Sequence, residues 1–332
     1  MALARTVPAL IGRRELILLL ACLVAIAAFS WISPHFGTSQ NLATIGRNSV
    51  ELLLIGLGMM LLLSMSGIDV SVGVAMGVAA IVVGEALMAG LAAPAVALVG
   101  PLAGAALGVV TATVVVLGRI PPIVGTLGLF GVYRTLVFVL LGGQWLSGLP
   151  TDLTAFVGAH VFGIPVSVIV VVFAYLAVWV ALRFTPYGAH LLAIGHNEHK
   201  ARLSGIAVTR VRFATFVVSG LLCGLAATFY VATYRNVEMT IGSTLALEAI
   251  AAVVLGGTSI LGGRCTVIGT VLGVLLIRIV QNGLLLSGVP SLWQIVVTGG
   301  LLLAVLTIDA LSSRERRALF DKLRPASRRG GP

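Results

Sequence analysis

Residues 52–84 read LLLIGLGMMLLLSMSGIDVSVGVAMGVAAIVVG, and the architecture of the chain follows from them. Two apolar runs are separated by residues 67–73, which hold an acid, a hydroxyl and two glycines. A helix that crosses the hydrocarbon layer needs about 20 apolar residues, because an unpaired backbone amide in lipid costs several kcal/mol. The interruption is typical of a helix that ends and starts again with a capped N-terminus. A half-helix beginning at Asp69 or Ser71 would direct its free N–H groups at whatever occupies the break.

The whole chain has the composition of a membrane protein. Of its 332 residues, 59% are hydrophobic and only 10% are charged, and the mean hydropathy is +1.12, which excludes a water-soluble globule and a disordered chain. We predict an all-α, polytopic membrane protein of about ten transmembrane helices, some of them broken near the glycine-rich motifs. The predicted spans are 15–33, 49–66, 72–90, 94–117, 122–142, 163–182, 212–233, 246–262, 266–286 and 291–309.

Glycines at small-xxx-small spacing predict which helices pack closely. Gly100, Gly104 and Gly108 form one stripe, and Gly220 with Gly224 and Gly269 with Gly273 form two others. Such stripes indicate tight helix packing and carry no information about a substrate.

The positive charges predict the orientation in the membrane. The chain has 21 Lys and Arg against 11 Asp and Glu. With a cytoplasmic N-terminus, alternating spans place the Lys and Arg of the connections inside, except Arg47 and Arg235. We therefore expect a multi-pass protein of the bacterial inner membrane with both termini in the cytoplasm. The expected parts are a cytoplasmic segment 1–14, a single permease domain 15–310 with a coupling loop 184–211, and a basic tail 311–332 at anionic lipid headgroups. This distribution explains the net charge of +10 without nucleic acid.

The cytoplasmic connection after the sixth span is the most polar internal segment. Residues 197–204 can form two helical turns, ended by Gly205 as a C-cap, and we interpret them as a short docking helix. The residues assigned to coupling are Asn197, Glu198, Ala201, Arg202, Leu203, Ser204 and Gly205. His196 and His199 are three residues apart and could share a helical face, but this pair alone does not make a metal site, and none is predicted.

A second glycine cluster, residues 256–263, offers backbone amides, as the first break does, together with two hydroxyls. Together the two segments suit neutral polyols better than ions, and the predicted solute pathway contains Asp69, Ser71, Thr258 and Ser259. Several ionisable or amide side chains also fall within or at the ends of spans, where either interhelical pairing or a polar pathway would explain them. They are Glu51, Glu85, Arg134, Glu248, Arg278, Gln281 and Asn282.

Sequence signatures of catalysis are missing. The chain contains no GxxxxGK[ST] loop, no HExxH and no GxSxG. We therefore expect a transport subunit, not an enzyme, that takes its energy from another protein.

Three stretches together carry a resemblance to a known family: residues 67–73, residues 193–206 and residues 249–263. Over about residues 15 to 310 the chain resembles the permease subunits of bacterial ATP-binding cassette importers, in the branch that carries ribose, xylose and autoinducer-2. Residues 120–128, 142–150 and 289–293 are most similar to the autoinducer-2 members. The resemblance implies a monosaccharide-like cargo, with autoinducer-2 favoured over ribose, rhamnose or xylose.

The resemblance also implies partners: a cytoplasmic ABC ATPase subunit that holds ATP and Mg, a periplasmic solute-binding protein, and a second permease copy or paralogue. This chain itself would need no cofactor. The alternative function is an ion-coupled secondary transporter that acts without an ATPase, and a membrane-embedded enzyme or lipid-handling scaffold is a third. Only Asp69 provides a carboxylate at the predicted breaks, which favours the importer over the ion-coupled transporter.

Overall fold

The computed structural model describes residues 12–290 and single helical positions at 293, 296, 297, 299, 300, 303 and 307. Within this part the fold is all-α, with four two-residue strands. The helices are α1 Arg13–Ile32, α2 Ser39–Ser64, α3 Val72–Met88, α4 Ala93–Ala112, α5 Pro122–Leu141, α6 Asp152–Gly158, α7 Val166–Phe184, α8 Pro186–His196, α9 Glu198–Leu203, α10 Val208–Tyr234, α11 Leu245–Leu255 and α12 Val267–Leu286. A π-helical turn, Thr113–Leu117, continues α4. The strands are β1 Leu146–Ser147, β2 His160–Val161, β3 Ile164–Pro165 and β4 Asn236–Val237, and β1 pairs with β4 and β2 with β3, both antiparallel.

The polytopic helical fold predicted from composition is confirmed. Among the described residues, seven helices are long and apolar enough to cross a membrane, namely α1, α2, α4 with its π turn, α5, α7, α10 and α12, while α3 and α11 are shorter apolar helices. The predicted span 246–262 is too long, because α11 ends at Leu255, just before Gly256 and Gly257, whose φ is +97°. The predicted span 49–66 is too short at its start, since α2 begins ten residues earlier, at Ser39, where the Thr38 side chain accepts a hydrogen bond from the Asn41 N–H. The predicted span 291–309 and the tail 311–332 fall mainly outside the described residues, as do residues 1–11.

Helix α2 forms the centre of the protein. Every residue from Ser49 to Ser64 is buried, and α2 packs against α7, α10, α11 and α12. Because this half of α2 is buried on all sides by other helices, it forms the packed core of the bundle.

Glycine stripes join α4 to α10, as the sequence predicts. A Cβ atom on Gly104 would overlap the Gly220 carbonyl oxygen, and one on Gly108 would lie 2.8 Å from the Phe216 carbonyl oxygen. The third stripe packs on the end of α11, where a Cβ on Gly273 would overlap the Ala252 carbonyl oxygen. Absent side chains therefore allow direct backbone contact between these helices.

The N-termini of α3 and α11 meet inside the bundle. A Cβ on Gly73 would overlap the carbonyl oxygen of Gly242 and would lie 3.2 Å from the Ala246 nitrogen. The Val72 carbonyl oxygen accepts a hydrogen bond from Cys223 Sγ at 3.1 Å, and Cys223 lies near the middle of the 27-residue α10. The meeting point is therefore deep in the bundle, where each of two short helices begins. The predicted break at residues 67–73 is confirmed, and the segment that faces it is 238–244, which sequence patterns did not single out.

Candidate functional site

The break between α2 and α3 is organised by one carboxylate. Asp69 is buried, and its Oδ1 accepts hydrogen bonds from the Ser71 backbone N–H at 2.9 Å and from the Ser71 hydroxyl at 2.6 Å. The Val70 N–H donates to Thr126 Oγ1 on α5 at 3.2 Å. Asp69 and Ser71, both predicted for the solute pathway, are thus in direct contact at the start of α3, where a negative charge is favoured by the helix dipole.

Thr258 and Ser259 belong to a different place. They lie in the turn after α11, where the Ser259 N–H donates to the Arg264 carbonyl oxygen and Thr258 Oγ1 accepts from the Thr266 N–H. This turn is attached to the end of α2, because the Gly263 N–H donates to the Ser64 carbonyl oxygen and the Ser66 hydroxyl donates to the Leu261 carbonyl oxygen. Among the described hydrogen bonds, none joins Thr258 or Ser259 to Asp69 or Ser71. The four predicted residues therefore form two pairs, one at each end of segment 65–71.

Several of the polar residues within the spans pair with one another. Arg278 on α12 forms a salt bridge with Glu248 on α11 at 3.3 Å and donates a hydrogen bond to Gln281 at 2.8 Å. Asn282 on α12 exchanges hydrogen bonds with Asn41 on α2. Of the two explanations that the sequence left open, interhelical pairing accounts for these side chains. Arg134 differs, since its buried Nη1 has no hydrogen-bond partner in the described part of the chain.

The predicted docking helix is present as α9, one residue shorter at each end than expected. The Asn197 side chain caps its start by accepting from the Lys200 N–H at 2.9 Å. Its end is a Schellman motif, in which the Ile206 N–H donates to the Ala201 carbonyl oxygen and Gly205 has φ +81°. Both ends of this short helix are therefore held by local hydrogen bonds.

One salt bridge ties α9 to the membrane helices. Glu198 bridges Arg202 on α9 itself and Arg212 on α10, with both N–O distances 2.9 Å. Ala201 is buried against the bundle, while 76% of the Leu203 surface is exposed. The helix thus presents a large apolar side chain to the surroundings on a base that is attached to α10.

A cavity of about 470 Å³ lies between α9 and the break. Its lining includes Met65 and Gly67 from the break, Arg119 and Pro121 before α5, and Arg202 and Arg212. Sequence reasoning missed Arg119 and Arg212 as parts of this region. The signal for Arg119 was its position directly before Ile120-Pro121-Pro122, and the structure gives it a left-handed backbone with φ +56°.

The described residues contain no cluster of three metal-ligating side chains. The protein is a multi-pass membrane transport component. Its class is defined by the helices that can span a membrane, by the two short helices that meet inside the bundle and by the capped surface helix beside a cavity.

The chain belongs to the family of branched-chain amino acid transport system permease components, whose model matches residues 41–306. It is 35% identical to the autoinducer 2 import system permease protein LsrC of Enterobacter sp. (strain 638), over 97% of this chain and 95% of that protein. It is 35% identical to the ribose import permease protein RbsC of Bacillus subtilis (strain 168), over 89% of this chain and 92% of that protein. With the ribose import permease protein of Escherichia coli (strain K12) the identity is 37%, over 88% and 92%. No solved structure matches the chain significantly. The resemblance to sugar permeases seen in the sequence is confirmed.

Proposed function

We propose that this chain is the membrane-spanning subunit of an ATP-driven importer for a monosaccharide-like solute, with autoinducer-2 favoured and ribose, rhamnose or xylose next. The family membership and the two kinds of similar permease, for autoinducer 2 and for ribose, support this choice. The transport subunit would bind no cofactor, and ATP and Mg would be held by a cytoplasmic ABC ATPase.

The observation that carries the ATPase partnership is the geometry of α9. A six-residue helix is rarely stable alone, yet this one is capped at both ends and attached to α10 through Glu198 and Arg212. A partner that contacts Leu203 can displace α9 as a unit. Because α9 is stiff, it passes this displacement on to the helices attached to it and is not itself deformed. We infer that the ATPase contacts α9 at Leu203 and that motion reaches residues 65–71 through the adjoining α8, whose Gly195 carbonyl oxygen lies 3.5 Å from the Ser66 hydroxyl.

The solute would pass the region where α3 and α11 begin. Free N–H groups at the two helix starts and the hydroxyl of Ser71 can hydrogen-bond the hydroxyls of a sugar. Thr258 and Ser259, at the other end of segment 65–71, would act on the side where the solute leaves. A periplasmic binding protein would deliver the solute on the opposite side, and a second permease copy or a paralogue would complete the pathway.

The coupling proposal is tested by Leu203→Glu. A charge at this exposed position should prevent apolar contact with the ATPase without disturbing the core, so co-purification of the ATPase and solute uptake should both fall about tenfold or more. Leu203→Met is the matched control and should keep both. Normal association and uptake by Leu203→Glu would show that α9 does not dock the ATPase through this side chain.

The alternative, an ion-coupled secondary transporter, is favoured by one observation, the buried carboxylate of Asp69 at the break. The purified chain in proteoliposomes discriminates the two functions. Under a proton or sodium gradient and without an ATPase, an importer subunit accumulates no solute, whereas a secondary transporter does.

A further inference from the structure

Two cavities meet on the face of the bundle formed by α2 and α7, away from the break and from α9. The first, of about 580 Å³, holds the polar side chains of Thr44, Arg47, Asn48, His160 and Ser167 among mainly apolar walls, and we call it the polar half. The second, of about 590 Å³, is apolar and lies between α2, α7 and α12; its lining includes Leu53, Val171, Leu176 and Leu275. Gly46, Val50 and Val168 line both cavities, so the two form one continuous cleft, which we call the α2–α7 cleft.

Gly46 lies where the two halves of the cleft join. A Cβ atom built on this glycine would meet no other atom within 4 Å, so the residue is open to the cleft. A larger side chain here would project into the passage between the polar and apolar halves. The absence of a side chain at this position therefore keeps the cleft continuous.

The polar half lies beside the first turns of α2, at the end of this helix opposite the break. Arg47 is eight residues from the start of the 26-residue α2, and a long arginine side chain can extend over apolar surface to reach phosphate groups. The apolar half follows α7 from Val168 to Trp179, a rise of about 16 Å, which is about the thickness of one leaflet.

The charge of the cleft favours an anion. Arg47 donates a hydrogen bond to Thr44 Oγ1 at 3.1 Å, and no ion pair is formed by it in the described structure. None of the described residues that line either half is acidic. The nearest carboxylate along α2, Glu51, is buried and does not line either half.

We propose that the α2–α7 cleft binds one anionic phospholipid, with its phosphate at Arg47 and an acyl chain in the apolar half. A guanidinium recognises a phosphate through charge-assisted hydrogen bonds, while the apolar walls provide the contact that a free anion cannot use. The lipid belongs to the leaflet on the side where α2 begins. This site is separate from the proposed coupling helix and solute pathway, so lipid binding and transport can be measured independently.

The test uses the full-length chain, purified in mild detergent after exposure to vesicles of phosphatidylglycerol and phosphatidylcholine, with retained lipid measured by native mass spectrometry. The unmodified protein should retain one phosphatidylglycerol in preference to phosphatidylcholine. Arg47→Ala should lower that retention about tenfold, since a hydrogen bond to a charged group is worth about 1.4 kcal/mol or more, and Arg47→Lys should restore most of it.

Gly46→Leu should abolish retention of either lipid by closing the cleft. Its matched control is Gly128→Leu on α5, because a Cβ atom on Gly128 would also meet nothing within 4 Å, yet this residue lies outside the cleft. The control variant should retain lipid normally. If Gly46→Leu fails to fold, the Arg47→Ala and Arg47→Lys pair still decides the question.

Other occupants predict other results, each of which overturns the proposal. Stabilisation of the lipid-free protein by inorganic phosphate, undiminished in Gly46→Leu, would indicate a free anion site. No retained lipid together with loss of dimers in Gly46→Leu would indicate a second copy of the chain. A cross-link from a cysteine at position 46 to residues 291–309 would indicate that the chain covers its own cleft. Equal lipid retention by all variants would also reject the site.

Discussion

Asp69 is the residue on which the start of α3 depends. Ser71 occupies the N-cap position, but its hydroxyl donates to Asp69 instead of accepting from the helix. The Asp69 carboxylate, two residues before the N-cap Ser71, therefore takes the role of the capping side chain. It stabilises the start of α3, which is buried away from water. A residue that looks in the sequence like a binding group is, in the structure, also a structural one.

Replacing Asp69 with alanine should lower the free energy of unfolding by about 0.5 to 2 kcal/mol, the range measured for lost helix caps. Unfolding by SDS in mixed micelles would measure the change. Asp152→Ala is the control, since Asp152 is an exposed acid in the first turn of α6. Equal stability of both variants would mean that the hydrogen bonds of Asp69 do not hold the start of α3.

Cys265 offers a second prediction at this scale. It lies in the turn between α11 and α12, and burial raises the pKa of its thiol to about 11. Because only the thiolate is nucleophilic, its maleimide labelling in a background with Cys22 and Cys223 replaced should rise about tenfold per pH unit between pH 7 and pH 10. A rate that levels off near pH 8.5, as for a free cysteine, would show that the turn does not bury the thiol.

Among the elements, the pair α4 and α10 has the closest contact. Gly100, Gly104 and Gly108 face Gly220 and Gly224 so closely that a Cβ on several of them would overlap backbone atoms. In lipid, moving an apolar side chain from the acyl chains to a helix interface gains little free energy. The close approach of the two backbones instead provides van der Waals contact, and larger residues would prevent that approach.

Gly104→Val should therefore separate α4 from α10 and destabilise the protein, by about 1 to 3 kcal/mol for an overpacked site. Thermal unfolding followed by tryptophan fluorescence would detect it. Gly131→Val is the matched control, because a Cβ on Gly131 of α5 has no neighbour within 4 Å. A similar melting temperature for the two variants would contradict the predicted packing.

At the scale of the whole molecule, two short helices start from a common region inside the bundle. α3 and α11 have 17 and 11 residues, and the non-helical segments 65–71 and 235–244 precede them. Non-helical backbone is tolerated within a membrane only where other parts of the protein surround it. The arrangement gives a protein-enclosed region into which two helix starts can direct N–H groups.

The proposed orientation is a prediction at the same scale. Phe162, fully exposed between β2 and β3, and Leu203 on α9 should lie on opposite sides of the membrane. In a cysteine-free background, an impermeant maleimide should label Phe162→Cys in intact cells and Leu203→Cys only in inverted vesicles. The reverse pattern would place the termini outside and would also reject docking of a cytoplasmic ATPase at α9.

Sequence patterns were enough for features that depend on neighbours along the chain. Apolar runs of about 20 residues predict spans because lipid demands internally bonded backbone. The polar interruption at Asp69 and Ser71 and the glycine after Leu203-Ser204 predict a break and a helix end, since caps act within one turn.

The order of residues alone was therefore sufficient for the helical membrane fold, the break at residues 67–73 and the surface helix α9. It did not reveal that Gly242 faces Gly73 or that Thr258 and Ser259 belong to a different turn from Asp69. It also did not reveal that Arg47 lines a cleft with apolar walls. These three relations are visible only in the folded structure. Such relations join residues far apart in the chain. These long-range relations depend on which helix surfaces fit together. Every helix in lipid has a similar apolar pattern, so this pattern does not determine which helices pack against each other.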